Sequence, residues 1–367
     1  MSNSLSMKRA NRSLILNLLR REELSRAELS RKTGLTRAAV SIIVDGLILD
    51  GFVTEGEKRT ESVGRRPIVL RLNDGAFNAL GIDISREGCF LILEDINGNM
   101  LEEARVDFED TAEQTVVKIA QRVKEFTHRI DGVGVIAPGP VDAENGIILN
   151  PPKLDMWHGY PIGERLSALL GKTVTVEKDT NALALNEKNL SNRDNFLFIL
   201  ADHGLGCGII RNGMLVRGYQ GLGGELGHIS LDVRGEKCVC GNRGCAEKYT
   251  SVAKTVEKAQ VADYSELLNG LDEPACREAL EFQTEMLAMT LVTAVNLYEP
   301  ETVIFGGSLK NALFFMKEPI EAVLSRCALT ADRHAVRVEG SVMGENCRGS
   351  AASGLALEKF FTEGEGL

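Results

Sequence analysis

No apolar run in this chain of 367 residues approaches the ~20 that a membrane span needs. The basic start, MSNSLSMKRANRSLILNLLRR, has interrupted apolar residues and no cleavage signal after it, so no secretory leader is expected. A chain that stays in a reducing cytoplasm keeps its cysteines as thiols or metal ligands rather than as disulfides. Five of the eight cysteines, Cys89, Cys207, Cys276, Cys327 and Cys347, are scattered and read as small core hydrophobes. Aromatic residues are only 5%, but 44% hydrophobic and 26% charged residues describe a globular chain, and its length predicts two to three domains. Positive charge is scarce outside the first segment. Residues 1–72 hold fourteen basic and eight acidic side chains, a net of +6; the whole chain is −10, which leaves −16 for the rest. A basic module on an acidic body points to a polyanion partner for the first part alone.

Within that module, Asn11 to Arg21 reads as an amphipathic helix with Leu14, Ile15, Leu18 and Leu19 on one face. Ser25 is placed to cap a second helix, Arg26 to Lys32, and Glu28 completes a capping box. Thr33-Gly34-Leu35 is a short turn, and Thr36 caps a third helix that carries Val40, Ile43, Val44 and Leu47 inward until Gly51. Two helices joined by a short Gly turn predict a helix-turn-helix whose second helix enters the major groove. Thr36, Arg37, Ala38 and Ser41 would then face base edges. Phe52 to Thr54 and Ile68 to Leu72 alternate like a hairpin, and its charged tip would put Arg65 and Arg66 near phosphates as a wing. The expected partner is double-stranded DNA, with a palindromic operator read by a symmetric oligomer.

The segment Gly224 to Glu247 carries the other strong local pattern. His228, Cys238, Cys240 and Cys245 can give one imidazole and three thiolates to a tetrahedral zinc with no open position, which describes a structural site. Clustered glycines let the backbone turn tightly enough to bring the four together. Glu225 and Glu247 flank the ligands, so a zinc here would hold two carboxylates near one point.

The body alternates strands and helices. Short apolar strands are expected at 79–84, 89–93 and 100–107, a helix at 111–130 and a buried strand at 132–136; a second set comprises strands at 196–200, 208–210, 214–216 and 302–305. Asn97-Gly98 and Asn212-Gly213 are hairpin turn signals. The two sets resemble each other and predict two related α/β lobes around a cleft. Asp179, before a helix expected at 182–189, could cap that helix or accept a hydrogen bond from a hydroxyl ligand; the two roles can coexist.

The helix-turn-helix, the GRRP of Gly64 to Pro67, the ExGH of Glu225 to His228 and the CxCGxxGCxE of Cys238 to Glu247 together resemble the ROK family of repressors and sugar kinases. The resemblance covers nearly the whole chain. It implies a winged helix-turn-helix over 1–72, followed by a two-lobed actin/hexokinase-like α/β body. The first lobe would span 73–194 and the second 195–367, with the last helix free to return to the first lobe. The added DNA-binding module is similar to the NagC/XylR-type repressors, which implies sugar-responsive control of carbohydrate genes by a homodimer or homotetramer. It also implies a ligand site in the cleft at Lys178, Asp179, Glu225, His228 and Glu247, with His228 shared between zinc and sugar, as a neutral imidazole permits. Carboxylates that accept from hydroxyls suit a sugar.

Departures from the family's kinases bear on activity. Lys178 stands where they place Asn; it could meet a carboxylate or phosphate on the ligand, or pair with Asp179 or Glu247. Their Asp-x-Gly-Gly-Thr phosphate loop is Asp83-Ile84-Ser85-Arg86 here, and their Gly-Thr-Gly is Asp202-His203-Gly204. Side chains replace glycines that would donate backbone N–H groups to phosphate, and Asp202 adds like charge. Asp179, the kinase base by position, is therefore expected to contact ligand only, and no catalytic residue is expected. The competing reading is an ATP-dependent hexose or N-acetylhexosamine kinase with a fused DNA-binding module.

Overall fold

Local capping chemistry lays out the N-terminal module. Ser25 accepts from the Glu28 backbone N–H while Glu28 Oε2 accepts from the Ser25 backbone N–H at 2.8 Å, the two halves of a capping box that starts helix α2 (Arg26–Thr33). Gly34, at φ 71, ends it in the left-handed conformation that glycine tolerates. Thr36 then caps helix α3 (Arg37–Leu49) by accepting from Ala39 N at 3.2 Å. Val40, Val44 and Leu47, spaced for one helical face, are wholly buried. Ahead of these runs helix α1 (Ser2–Leu19), and strands β1 (Leu24–Ser25), β2 (Val53–Lys58) and β3 (Ile68–Leu72) form a three-stranded sheet with β3 in the middle. This is a winged helix-turn-helix. The computed structural model describes residues 2–58, 68–344 and 346–363; Arg65, Arg66 and the GRRP stretch lie outside the described residues.

The chain divides into two units. The first comprises residues 1–139, 143–177 and 348–367; the second comprises 140–142 and 178–347. The first unit continues from the winged module into a five-stranded sheet. Its centre is β4 (Asn78–Ile84), flanked on one side by β5 (Cys89–Asp95) and β6 (Met100–Val106), both added antiparallel, and on the other by β7 (Gly132–Ala137), added parallel, then the strand Val174–Lys178. The C-terminal helix, Cys347–Glu363, lies directly on this sheet. A Cβ at Gly81 of β4 or Gly134 of β7 would run into its backbone at Gly349, Ala352 or Ser353. The same helix closes the core of the winged module. Ile15, Leu16, Leu19, Val44, Leu47 and Leu70 share one buried cluster with Phe77, Leu357, Phe360 and Phe361.

The second unit repeats the strand order. Phe196–Leu200, buried throughout, is central; Gly206–Arg211 and Met214–Leu215 add antiparallel on one side, Thr302–Phe305 and Arg337–Gly340 parallel on the other. The Asn212-Gly213 turn has both residues at positive φ, as a tight two-residue hairpin requires. Helices Pro274–Tyr298 and Leu313–Cys327 cover the core.

Several expected boundaries shift. The helix expected to reach residue 130 ends at Val123, because Glu102 Oε1 captures the backbone N–H groups of Thr127 and His128, each at 2.9 Å. The helix expected from 182 starts at Asp179. All eight cysteines are free; Cys89, Cys207 and Cys276 are buried, whereas Cys327 is exposed and Cys347 half-buried, so those two are not core residues. Among the described residues no helix is long and apolar enough to cross a membrane.

Candidate functional site

Five side chains named from the sequence meet in the second unit around one loop. Glu225 opens a short 3-10 turn, Leu226–His228, that swings His228 back toward the cysteines. The close passage of that turn rests on glycine: a Cβ at Gly227 would collide with the Leu205 carbonyl, and one at Gly224, at φ 80, with that of Cys207. The ligand atoms of His228, Cys238, Cys240 and Cys245 all lie within 4.8 Å of one another. Cys240 Sγ and Cys245 Sγ are 3.6 Å apart, and Cys238 Sγ is 3.8 Å from His228 Nδ1. The edge of a tetrahedron with metal–sulfur bonds of ~2.3 Å is about 3.8 Å. The donor set and its spacing therefore fit a tetrahedral dication.

Glu247 begins the helix Glu247–Thr250 just after the last cysteine. Its Oε1 lies 3.1 Å from Cys238 Sγ, which donates to it, and 3.8 Å from His228 Nδ1. Nδ1 thus faces the thiols and leaves Nε2 as the other ring nitrogen. Gly204 comes close to the other Glu247 oxygen: a Cβ there would stand 3.1 Å from Oε2.

The second group centres on Lys178, at the junction of strand Val174–Lys178 and helix Asp179–Ser191. Its Nζ reaches Glu225 Oε1 at 2.6 Å, with the lysine side chain only 6% exposed and the glutamate 35%. Glu225 is a partner that the sequence did not single out, since the acids considered were Asp179 and Glu247. Asp179 lies inside the first helical turn rather than at the cap, and its Oδ1 accepts from Thr180 N at 2.7 Å. The neighbouring Thr180 Oγ1 is buried without a hydrogen-bond partner, a polar atom with no sequence signal. Beneath the pair, burial pushes the Cys207 thiol up to about 12, with Lys178 acting in the opposite direction. Cys207 is accordingly a packing residue, not a nucleophile.

In the winged module Thr36, Arg37 and Ala38 are exposed at the start of α3, and Ser41 is half-buried one turn on. The Thr36 hydroxyl is engaged as the helix cap.

Residues 79–358 match the ROK family. The chain belongs to the ROK family. Among curated relatives, the xylose repressor of Bacillus subtilis (strain 168) is 27% identical over 372 residues, covering 96% of this chain and 96% of that protein. The glucokinase of Thermotoga maritima is 29% identical over 262 residues, covering 64% of this chain and 82% of that enzyme. Among solved structures, a ROK family transcriptional regulator described as a homolog of the E. coli MLC protein superposes with a TM-score of 0.84 at 23% identity, over 98% of this chain and 97% of its own. This likeness gives the fold. The ROK body is thus common ground with repressors and kinases, and coverage separates them: similarity to the repressor runs through nearly the whole chain.

Proposed function

We propose that this ROK protein is a sugar-responsive DNA-binding transcriptional regulator, a repressor of carbohydrate-utilisation genes acting as a homo-oligomer on a palindromic operator. The observation that carries this reading is the winged helix-turn-helix built into the same chain as the ROK body, with repressor similarity extending across both. Residues 1–72 form the DNA-binding module, with Thr36, Arg37, Ala38 and Ser41 toward the bases. Arg65 and Arg66 are assigned to phosphates from sequence.

His228, Cys238, Cys240 and Cys245 hold a structural zinc, with Nδ1 of His228 toward the ion. Zinc supplies rigidity here rather than Lewis-acid chemistry, because four protein ligands fill its tetrahedron. Asp179, Glu225, Glu247 and the His228 Nε2 form the sugar-binding set. Their acceptors suit hydroxyl groups that both donate and accept.

Lys178 positions Glu225 rather than meeting an anion of the ligand; the 2.6 Å contact between them supports this. Lys178→Asn is expected to weaken binding of a neutral sugar about tenfold, the equivalent of ~1.4 kcal/mol, and to leave the ranking of acidic against neutral sugars unchanged in calorimetric titrations. A loss confined to acidic sugars would instead assign Lys178 to a ligand carboxylate or phosphate.

Two engaged acids support a non-enzymatic reading. Asp83, 3% exposed at the end of β4, accepts two hydrogen bonds from Arg348, Nε at 2.8 Å and Nη2 at 2.9 Å. Asp202 turns its carboxylate onto the Gly307-Ser308 backbone, where Ser308 N donates to Oδ1 at 3.4 Å. Asp83, an acid that the kinases share, is thus occupied by a guanidinium, whereas Asp202, which they lack, stands in the loop that corresponds to their Gly-Thr-Gly, where a carboxylate repels a phosphate. A thermal-shift screen of neutral, acetamido, acidic and phosphorylated sugars, run beside a coupled ATP turnover assay, tests the reading. At least one sugar should stabilise the protein, and none should support turnover. Sugar-dependent turnover would establish the kinase alternative.

A further inference from the structure

The exposed face of α3 carries a large apolar residue beside the positions expected to face bases. Ile42 is 72% exposed. It lies one turn beyond Ala38 and five residues after Arg37, so Ala38, Ser41 and Ile42 form one outward strip, opposite the buried Val40, Val44 and Leu47. The next outward residue, Asp45, would repel a polyanion. Arg26 holds it at 2.7 Å, and Arg26 also reaches Glu55 at 3.2 Å. The strip therefore presents two apolar side chains, one small and one branched, in a module whose net charge is +6. A cationic module with a local apolar strip at the first half of its recognition helix matches the floor of a DNA major groove. There, the one apolar group on any base edge is the thymine 5-methyl.

We propose that Ile42 is a specificity-determining residue that reads a thymine by packing on its 5-methyl group. This rests on residues 1–72 being the DNA-binding module. The helix geometry places Ile42 one turn deeper along the groove than Ala38, so the thymine it reads is adjacent to the bases faced by Arg37 and Ala38. Ile42 supplies sequence preference but no affinity from charge, and its contribution is insensitive to salt, unlike that of the arginines.

The test uses the full-length protein and an operator obtained from it by selection on randomised duplexes, with affinity read by fluorescence anisotropy. Each thymine is replaced in turn by deoxyuridine, which removes only the methyl group. In the wild-type protein one thymine in each half-site should lose about fourfold in affinity, the counterpart of ~0.8 kcal/mol for a methyl-sized apolar contact. In Ile42→Ala that same replacement should cost nothing, while Ala38→Gly should leave it in place. Ile42→Ala should unfold at the wild-type temperature, since the side chain is outside the core. Selection of a defined operator with every deoxyuridine tolerated would overturn methyl reading and leave DNA binding standing. A deoxyuridine penalty that persists in Ile42→Ala would overturn the assignment to Ile42. Failure to select any operator would overturn the DNA-binding reading itself. Ile42 and Leu49, seven residues apart and both exposed, could instead contact another protein chain; a changed oligomeric state in Ile42→Ala with all deoxyuridines tolerated would establish that and reject the proposal.

Discussion

Cys245→Ser is expected to release the metal and reduce sugar affinity about 100-fold, while affinity for DNA in the absence of sugar stays within a few-fold of wild type. Cys245 is fully buried, and its Sγ lies 3.6 Å from Cys240 Sγ. A serine hydroxyl at that place stays protonated where a thiolate is needed, so the tetrahedron loses a charged ligand. The consequence would reach the proposed ligand set because the proposed zinc would tie together residues separated in the chain. His228 and Cys245 are seventeen positions apart, and Glu225 and Glu247 flank them on either side. Without the ion, that loop is left to its weak thiol contacts and to neutral hydrogen bonds, such as Leu231 N to Gly244 O at 2.8 Å and Ala246 N to Ile229 O at 2.9 Å. Side-chain donors to the backbone add Ser230 Oγ to Arg243 O at 2.8 Å and Asn242 Nδ2 to His228 O at 3.1 Å. A loss of 100-fold corresponds to ~2.7 kcal/mol, a modest part of what a structural zinc contributes to folding of the segment it closes. Metal content by atomic spectroscopy and sugar affinity by calorimetry decide the matter. Metal-free protein that binds sugar with wild-type affinity would refute a structural role for zinc in the ligand site.

Phe360→Ala is expected to destabilise the first unit by ~3–5 kcal/mol, the usual cost of truncating a buried phenylalanine, and to abolish tight operator binding. Phe360 is fully buried. Its ring meets Phe52 at 5.1 Å and Phe77 at 4.8 Å between centroids, and Phe361 at 5.3 Å. Phe52 belongs to the winged module, Phe77 to the segment that leads into β4, and Phe360 to the last helix, so one ring joins three stretches of chain. Polar contacts reinforce the joint. Ser13 Oγ donates to the Phe361 carbonyl at 2.6 Å, Asn17 Nδ2 donates to the same oxygen at 3.1 Å, and Arg20 pairs with Glu358 at 3.2 Å while lying 4.6 Å from the Phe361 ring centroid. Loss of the ring opens a cavity in the cluster that Ile15, Leu16 and Leu19 of α1 share with Leu357 and Phe361, and a module free to reorient presents α3 to DNA at an entropic cost. At 2–4 °C per kcal/mol for a domain of 150–250 residues, the transition reporting the first unit should fall by roughly 6–20 °C. Sugar affinity should change little, because the proposed ligand residues lie in the second unit. Wild-type melting and operator affinity in Phe360→Ala would show that the last helix does not hold the module.

The residues explain why some features were legible in the sequence and others were not. The helix-turn-helix could be read because its signals are local: Ser25 and Glu28 are three residues apart, Gly34 sits at the turn, and Thr36 stands one residue before α3. The His228–cysteine cluster could be read because Cys238, Cys240 and Cys245 fall within eight residues. The role of the last helix depends on contacts across most of the chain, such as Arg348 with Asp83 and Phe361 with Ser13, and periodicity cannot pair residues at that separation. The Lys178–Glu225 pair escaped for the same reason: the two sit at the start of a helix and in a loop forty-seven positions apart. The exposed Ile42 lies outside the inward set Val40, Ile43, Val44 and Leu47, yet the sequence does not single it out. Helical spacing places it opposite Val40, Val44 and Leu47, but a lone apolar residue on an outward face has no sequence signal of its own until its 72% exposure is seen.

Sugar binding and DNA binding are expected to be linked through this one chain. The most direct test of that link is the affinity of full-length, zinc-loaded protein for its selected operator, measured by anisotropy with and without a saturating concentration of the sugar that gives the largest thermal shift. The expected change is about tenfold or more, within the ~1–3 kcal/mol typical of such coupling, with the same factor in sugar affinity when operator is present. Operator affinity that stays constant while the sugar site is demonstrably full would contradict it.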